Sequence, residues 1–216
     1  MVIGRIMNKT NRIFCVGRNY IAHAQELNNP VPDSPVIFMK PLSSLVKEDN
    51  FIPYPTHGKI LEQEGELVVQ IGKEGCPASL QEANTYISAF TLGLDLTLRD
   101  LQTSLKQKGL PWEIAKAFDG SSPLGHWIPV SEIANWKNIT FQCYVNDDLR
   151  QKGHVSQMIF SIPEIILFIG GIWSFIPGDM IYTGTPAGVG AIHAGDKIIL
   201  TSEQLGQFSW NVSSKK

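Results

Sequence analysis

The chain reads as short apolar runs of strand length, separated by turn residues and only occasionally by helical periods. "RIFCVG" (12–17) and "PVIFMK" (35–40) are two such runs. Between them, "NYIAHAQELNNP" has the spacing of a helix, with Asn19 as its N-cap and Asn28-Asn29-Pro30 as its stop. "ILEQEGELVVQIG" (60–72) predicts one strand that begins with alternating acids and enters the core at Leu67, Val68, Val69 and Ile71. "SLQEANTYISA" opens with Ser79 and Glu82 at the spacing of a capping box. "FTLGLDL" is a strand, and Thr97 to Asp100 repeats the capping spacing before the helix "LQTSLKQKG".

The second half is richer in strands. "NITFQCYVNDDLRQKG" predicts a hairpin turning at Asn146-Asp147-Asp148. A helix around residues 164–175 follows, then "DMIYTG", the Gly-rich turn "TPAGVGAIHAGD", "KIILTSE" and a last strand near "FSWNV". Many strands with few helices predict an α+β, mainly β architecture rather than a βαβ repeat. No repeat or linker divides the chain, so residues 1–216 are expected to form a single domain.

Composition narrows the classes. With 43% hydrophobic and 18% charged residues, the chain has the make-up of an ordinary soluble protein. A net charge of −2 offers no electrostatic case for nucleic acid or an anionic membrane. Cys15, Cys76 and Cys143 are isolated and odd in number, which suits a reducing compartment and speaks against a disulfide framework or a thiolate zinc site. The most apolar stretch, "MIFSIPEIILFIGGIWSFIPGD", is interrupted by Pro163, Glu164, Gly170 and Gly171 and is read as a core helix rather than a membrane span. With no long apolar run near the N-terminus, a cytoplasmic location is expected. The Gly-rich turn lacks the Gly-Lys-Ser/Thr of a phosphate loop and the third glycine of a dinucleotide fingerprint.

Several residues stand in unusual company. Glu62, Glu64 and Glu66 share one face of the predicted strand. They form either a solvated acidic face or the walls of a divalent-cation site, where bound charge turns repulsion into attraction. Asp95 lies among Leu92, Leu94 and Leu96 and needs a partner, either Arg99 four residues on or a cation shared with the glutamates. His23 and Glu26 are one helical turn apart, the arrangement of an oriented base and equally of a plain surface pair. Lys40 and Lys116 sit among apolar residues, where a lysine either reaches out to water or neutralises an anion.

Taken in order, "VGRNYIAHAQE", "PVIFMKP", "EGELVVQIG", "LDLTLRDLQ", "PWEIAKAFDGSSPLG" and "YTGTPAGVG" resemble the fumarylacetoacetate hydrolase family over residues 13 to 212. The resemblance is to its short branch of acylpyruvate hydrolases and oxaloacetate decarboxylases or tautomerases. It implies a mixed β-sandwich or β-roll with peripheral helices, usually dimeric. It also implies Mg²⁺ or Mn²⁺ held by Glu64, Glu66 and Asp95, oxygen ligands that suit a hard cation. His23 with Glu26 would activate water. Lys116 would assist catalysis, and Arg18, Lys40, Gln102 and Thr185 would meet the substrate. Glu62 and Gln63 depart from relatives that often carry histidines there, and Glu62 is expected to face solvent or the site's outer shell. The implied activity is hydrolysis of the C–C bond of small 2,4-dioxo acids, by withdrawal of electrons toward a chelated enolate. The same chemistry also admits oxaloacetate tautomerisation or decarboxylation, or isomerisation and decarboxylation in aromatic-acid breakdown. A non-catalytic binding module is the reading of a different class. The segment around His23 is expected to act as a lid.

Overall fold

The computed structural model describes residues 12–26, 30–48 and 50–214. Ile13–Gly17, buried along almost its whole length, pairs antiparallel with Val36–Lys40 and parallel with Met180–Tyr182. Gly65–Ile71 joins Met180–Tyr182 to Ile87–Leu94. Ser122–Leu124 and Ile128–Pro129 add to Ile87–Leu94, and Leu45–Lys47 closes the far edge. A second sheet runs Asp148–His154, Thr140–Val145, Lys197–Ser202, Gly206–Val212 and Phe51–Ile52.

The strands are apolar on both faces because both faces are covered. Leu67, Val69 and Leu92 share a core with Phe141, Cys143, Leu200, Phe208 and Trp210 of the second sheet. On the other side Val68 packs with Ile13, Cys15, Met180 and Tyr182. The mainly β reading therefore holds, as does the hairpin: Asn146 and Asp147 take φ of 51° and 70°, both left-handed, as a two-residue turn between twisted strands requires.

The helices follow the sequence less closely. Asn19 does not cap the helix Ile21–Glu26. Its amide is used between strands and loops, accepting from Phe160 N–H at 2.8 Å and donating to the carbonyls of Phe160 and Thr183 at 3.0 and 2.8 Å. A buried amide goes where it can satisfy both its donor and acceptor. The stop expected at Asn28 and Asn29 lies outside the described residues.

Ser79 does cap Leu80–Asn84, accepting from Glu82 N–H, while the Glu82 carboxylate turns to Ala78 N–H. The Thr97–Asp100 cap does not form: Thr97 is in the strand Thr97–Leu98, and Asp100 accepts from the N–H groups of Lys59 and Ile60. The core helix is Ile162–Gly170 rather than 164–175. Pro163 lies in the first turn, where a missing N–H costs nothing. Buried Ile162, Ile165, Ile166 and Ile169 form one face at helical spacing. Glu164 accepts from Ser161 N–H at 2.7 Å and from Ser161 Oγ at 2.6 Å.

Glu164→Ala is predicted to destabilise the protein by about 1 kcal/mol in denaturant titrations near neutral pH. The Ser161 hydrogen bonds hold the Glu164 carboxyl below its ordinary value. Its contribution is therefore present above that ordinary value and is lost as pH falls through the depressed one, where wild type and variant should converge.

Candidate active site

The acidic stretch is not one strand, as its alternation predicts. Leu61–Gln63 belongs to a small sheet with Gly190–Ala191 and Thr97–Leu98, and Gly65–Ile71 belongs to the large one. Glu64 stands at the crossing. Gly65 pairs with Leu94, so the antiparallel register carries Asp95 to Glu64, and Asp95 N–H donates to the Glu64 carbonyl at 2.8 Å. Glu64, Glu66 and Asp95 each bring a carboxylate oxygen within 4.8 Å of the others, all buried.

Three cations hold this cluster together. Lys116 Nζ donates to Glu64 Oε2 at 2.7 Å and to Asp95 Oδ2 at 2.8 Å. Lys40 Nζ lies 2.6 Å from Asp95 Oδ1 and donates to the Ser121 carbonyl at 2.6 Å. Arg99 is not the partner of Asp95; its guanidinium pairs with Glu62 at 2.6 Å and with Glu64, and donates to Gln102 Oε1 at 2.6 Å. Arg99 opens a helix behind the small sheet, so it reaches the Glu62 side of the cluster. Glu62 thus lies one step behind Glu64, in the outer shell. Neither lysine reaches out to water, since both are buried. Lys40 is spent on Asp95 and backbone carbonyls, and it does not line the cavity that Lys116, His23, Arg18, Gln102 and Thr185 line.

The carboxyls divide under these fields. Burial alone would raise Glu64, but Lys116 and Arg99 outweigh it and hold its carboxyl well below the usual range. Glu66 is pushed well above that range, first by burial and then by the charges of Asp95 and Glu64, although Gly184 N–H donates to its Oε2 at 2.8 Å. Lys116 is raised, because the two carboxylates outweigh its burial.

The donor set fits a hard divalent cation. It is all oxygen, from three buried carboxylates that converge on one point. Like charges drawn this close are tolerable when a cation can take the place of a proton.

His23 Nδ1 lies 3.2 Å from Glu26 Oε2, with the imidazole buried and the carboxylate partly open. The other Glu26 oxygen accepts from Gly188 N–H at 3.0 Å. Arg18, at the cavity wall, takes φ of 59°, a conformation an arginine seldom adopts. Thr185 lines the cavity, yet its hydroxyl already donates to the Gly65 carbonyl and accepts from Gln151. Gln63, noted in the sequence only as a departure from relatives, and Gln151, which the sequence does not mark, are both buried. The available signal was Gln63 in phase with Leu61, a polar residue on the buried side of an acidic stretch. Phe38, Lys106 and Trp112 also line the cavity and carry no signal of their own.

Fold and site together define a class: mainly β proteins built round a buried cluster of carboxylates among cationic side chains. Residues 12–213 match the family described as fumarylacetoacetate (FAA) hydrolase C-terminal. The chain belongs to the fumarylacetoacetate hydrolase family. It is 41% identical over 188 residues to the mitochondrial oxaloacetate decarboxylase of Dictyostelium discoideum, covering 87% of this chain and 86% of that one. It is 39% identical over 215 residues to a mitochondrial oxaloacetate tautomerase of Oryza sativa subsp. japonica, covering 98% and 95%. The fumarylpyruvate hydrolase of Pseudomonas aeruginosa, solved with Mn²⁺ and pyruvate, superposes with a TM-score of 0.92 at 34% identity, over 97% of this chain and 93% of that one. Among the described residues, no helix is long and apolar enough to cross a membrane.

A divalent cation should displace the proton that burial and neighbouring carboxylates keep on Glu66. Binding is predicted to release a proton below the raised Glu66 value, so cation affinity weakens as pH falls. Calorimetric titration with Mg²⁺ in two buffers of different ionisation enthalpy measures the release, which should shrink above that value.

Proposed function

We propose that this protein is a divalent-cation-dependent hydrolase of the C–C bond in small 2,4-dioxo acids, acting through residues 1–216 as one catalytic unit. The observation that carries the reading is a buried His23 imidazole, paired with the partly open Glu26 carboxylate, on the cavity that Glu64, Glu66 and Asp95 also line. Those three carboxylates would hold Mg²⁺ or Mn²⁺, which when bound supplies positive charge for the carboxylate and 2-oxo group of the substrate.

His23 takes a proton from water, and Glu26 stabilises the resulting imidazolium. The hydroxide adds to the C4 carbonyl carbon, and the C3–C4 bond breaks with its electron pair leaving toward the pyruvyl half. His23 returns its proton to C3, so one water is consumed and a carboxylic acid and pyruvate are formed. Lys116, which donates to Glu64 and Asp95, would turn its ammonium to the anionic substrate. Arg18 and the amide nitrogen of Gln102 meet substrate oxygens, and Thr185 fixes the wall beside them. Lys40, in this reading, balances the charge of Asp95 rather than touching substrate.

A second reading, oxaloacetate tautomerisation or decarboxylation, is favoured by the names of the relatives at 38–41% identity. It needs the same electron withdrawal but no attacking water. Acetylpyruvate, fumarylpyruvate and both oxaloacetate tautomers, followed spectroscopically with and without chelator, separate the two. The hydrolase reading predicts loss of acylpyruvate absorbance that chelator abolishes and His23→Ala lowers by about 10²-fold or more. Turnover of oxaloacetate alone selects the second reading. A wild type and His23→Ala variant equally inert on every substrate would defeat both.

A further inference from the structure

We propose that Gln63, backed by Gln151, is a positioning residue for the His23–Glu26 pair and acts through the strap formed by residues 184–190. The inference rests on the catalytic reading of that pair.

Gln63 is wholly buried in the small sheet, and its Nε2 donates to the Gly188 carbonyl at 3.0 Å. The N–H of the same residue donates to Glu26 Oε1 at 3.0 Å, leaving Glu26 Oε2 3.2 Å from His23 Nδ1. A continuous line therefore runs from Gln63 through Gly188 and Glu26 to the imidazole. The strap is pinned at its other end as well. Gly184 N–H donates to Glu66, while Gln151 Nε2 donates to Thr185 Oγ and the Pro186 carbonyl at 2.7 and 2.8 Å. Gln151 Oε1 accepts from Gly65 N–H at 2.9 Å, between Glu64 and Glu66. Gly188 itself has little room to move: its φ is 100°, and a Cβ there would meet the Arg150 carbonyl oxygen at 1.9 Å. The strap thus mechanically connects the acidic cluster to a base carried on a different element.

The cost of Gln63 points the same way. Among the described residues its Oε1 is buried without a hydrogen-bond partner, which disfavours the folded state. An apolar side chain of similar size would avoid that cost, so the amide is suited to its one donor contact. Holding one Glu26 oxygen keeps the partly exposed carboxylate from rotating away from His23, as the outer hydrogen bonds of metal-ligating histidines do, where their loss costs about ten- to a hundredfold.

The test is a double-mutant cycle. Gln63→Leu is expected to lower kcat by about tenfold, with KM within twofold and Mg²⁺ affinity and Tm no worse than wild type. Gln63→His, which restores a donor, should recover most of kcat. In a Glu26→Gln background, Gln63→Leu should have no further effect. Amide exchange of residues 21–26 should quicken in Gln63→Leu. Full kcat in Gln63→Leu, or losses that multiply in the double variant, would overturn the proposal. If wild type turns over no substrate, the catalytic reading fails and the exchange measurement alone decides the coupling: faster exchange upholds it and unchanged exchange refutes it.

Discussion

Carboxylates withdrawn from water must be matched by positive charge, and among the described residues this protein gathers three of its four buried carboxylates at one place. Glu64, Glu66 and Asp95 converge in the interior, and Lys40, Lys116 and Arg99 are folded in against them. A buried charge left without its partner is strongly destabilising, commonly by about 3–5 kcal/mol. The segments that carry Glu64, Asp95, Lys40, Lys116 and Arg99 are therefore tied to one another by charge, while Glu66 is held by Gly184 N–H. The large sheet supplies Glu66, its strand end supplies Asp95, and the break between sheets supplies Glu64. Short helices deliver Arg99 and Lys116, and an edge strand delivers Lys40.

The same balance prepares the chemistry. Burial and acidic neighbours favour the protonated form of Glu66, whereas Glu62, Glu64 and Asp95 are paired with Arg99, Lys116 and Lys40. A divalent ion bound among Glu64, Glu66 and Asp95 would add positive charge to the pocket, which suits an anionic 2-oxo acid. The His23–Glu26 pair stands at the wall of this field, and the strap from Gly184 to Gly190 keeps it in step with the acids. Fold and site are thus one construction, since the sheet crossing that breaks the acidic strand also aims its side chains.

Much of this was readable in the residues themselves. Strand-length apolar runs gave the mainly β architecture, and Asn146-Asp147 gave the hairpin, because two left-handed residues have few alternatives there. Six ordered motifs pointed to the family, and the acids they marked do come together. What escaped was tertiary. Alternation implied one acidic strand, but a change of sheet at Glu64 is invisible to a period of two. Asn19 and Thr97 have the chemistry of caps and are used elsewhere, because buried partners compete for the same atoms. The assignment of Arg99 to Asp95 followed sequence spacing, whereas the helix it opens faces Glu62 and Glu64. Gln63 and Gln151 gave little sign of themselves because their meaning lies in the backbone carbonyls they reach.

The central claim is that the charge-matched cluster is built to receive a divalent ion. Crystals grown with Mn²⁺ and examined by anomalous scattering at the manganese edge test it most directly. One strong peak per chain, in contact with Glu64, Glu66 and Asp95, is the expected result. An absent peak, or manganese bound elsewhere while Lys116 still bridges Glu64 and Asp95, would contradict it.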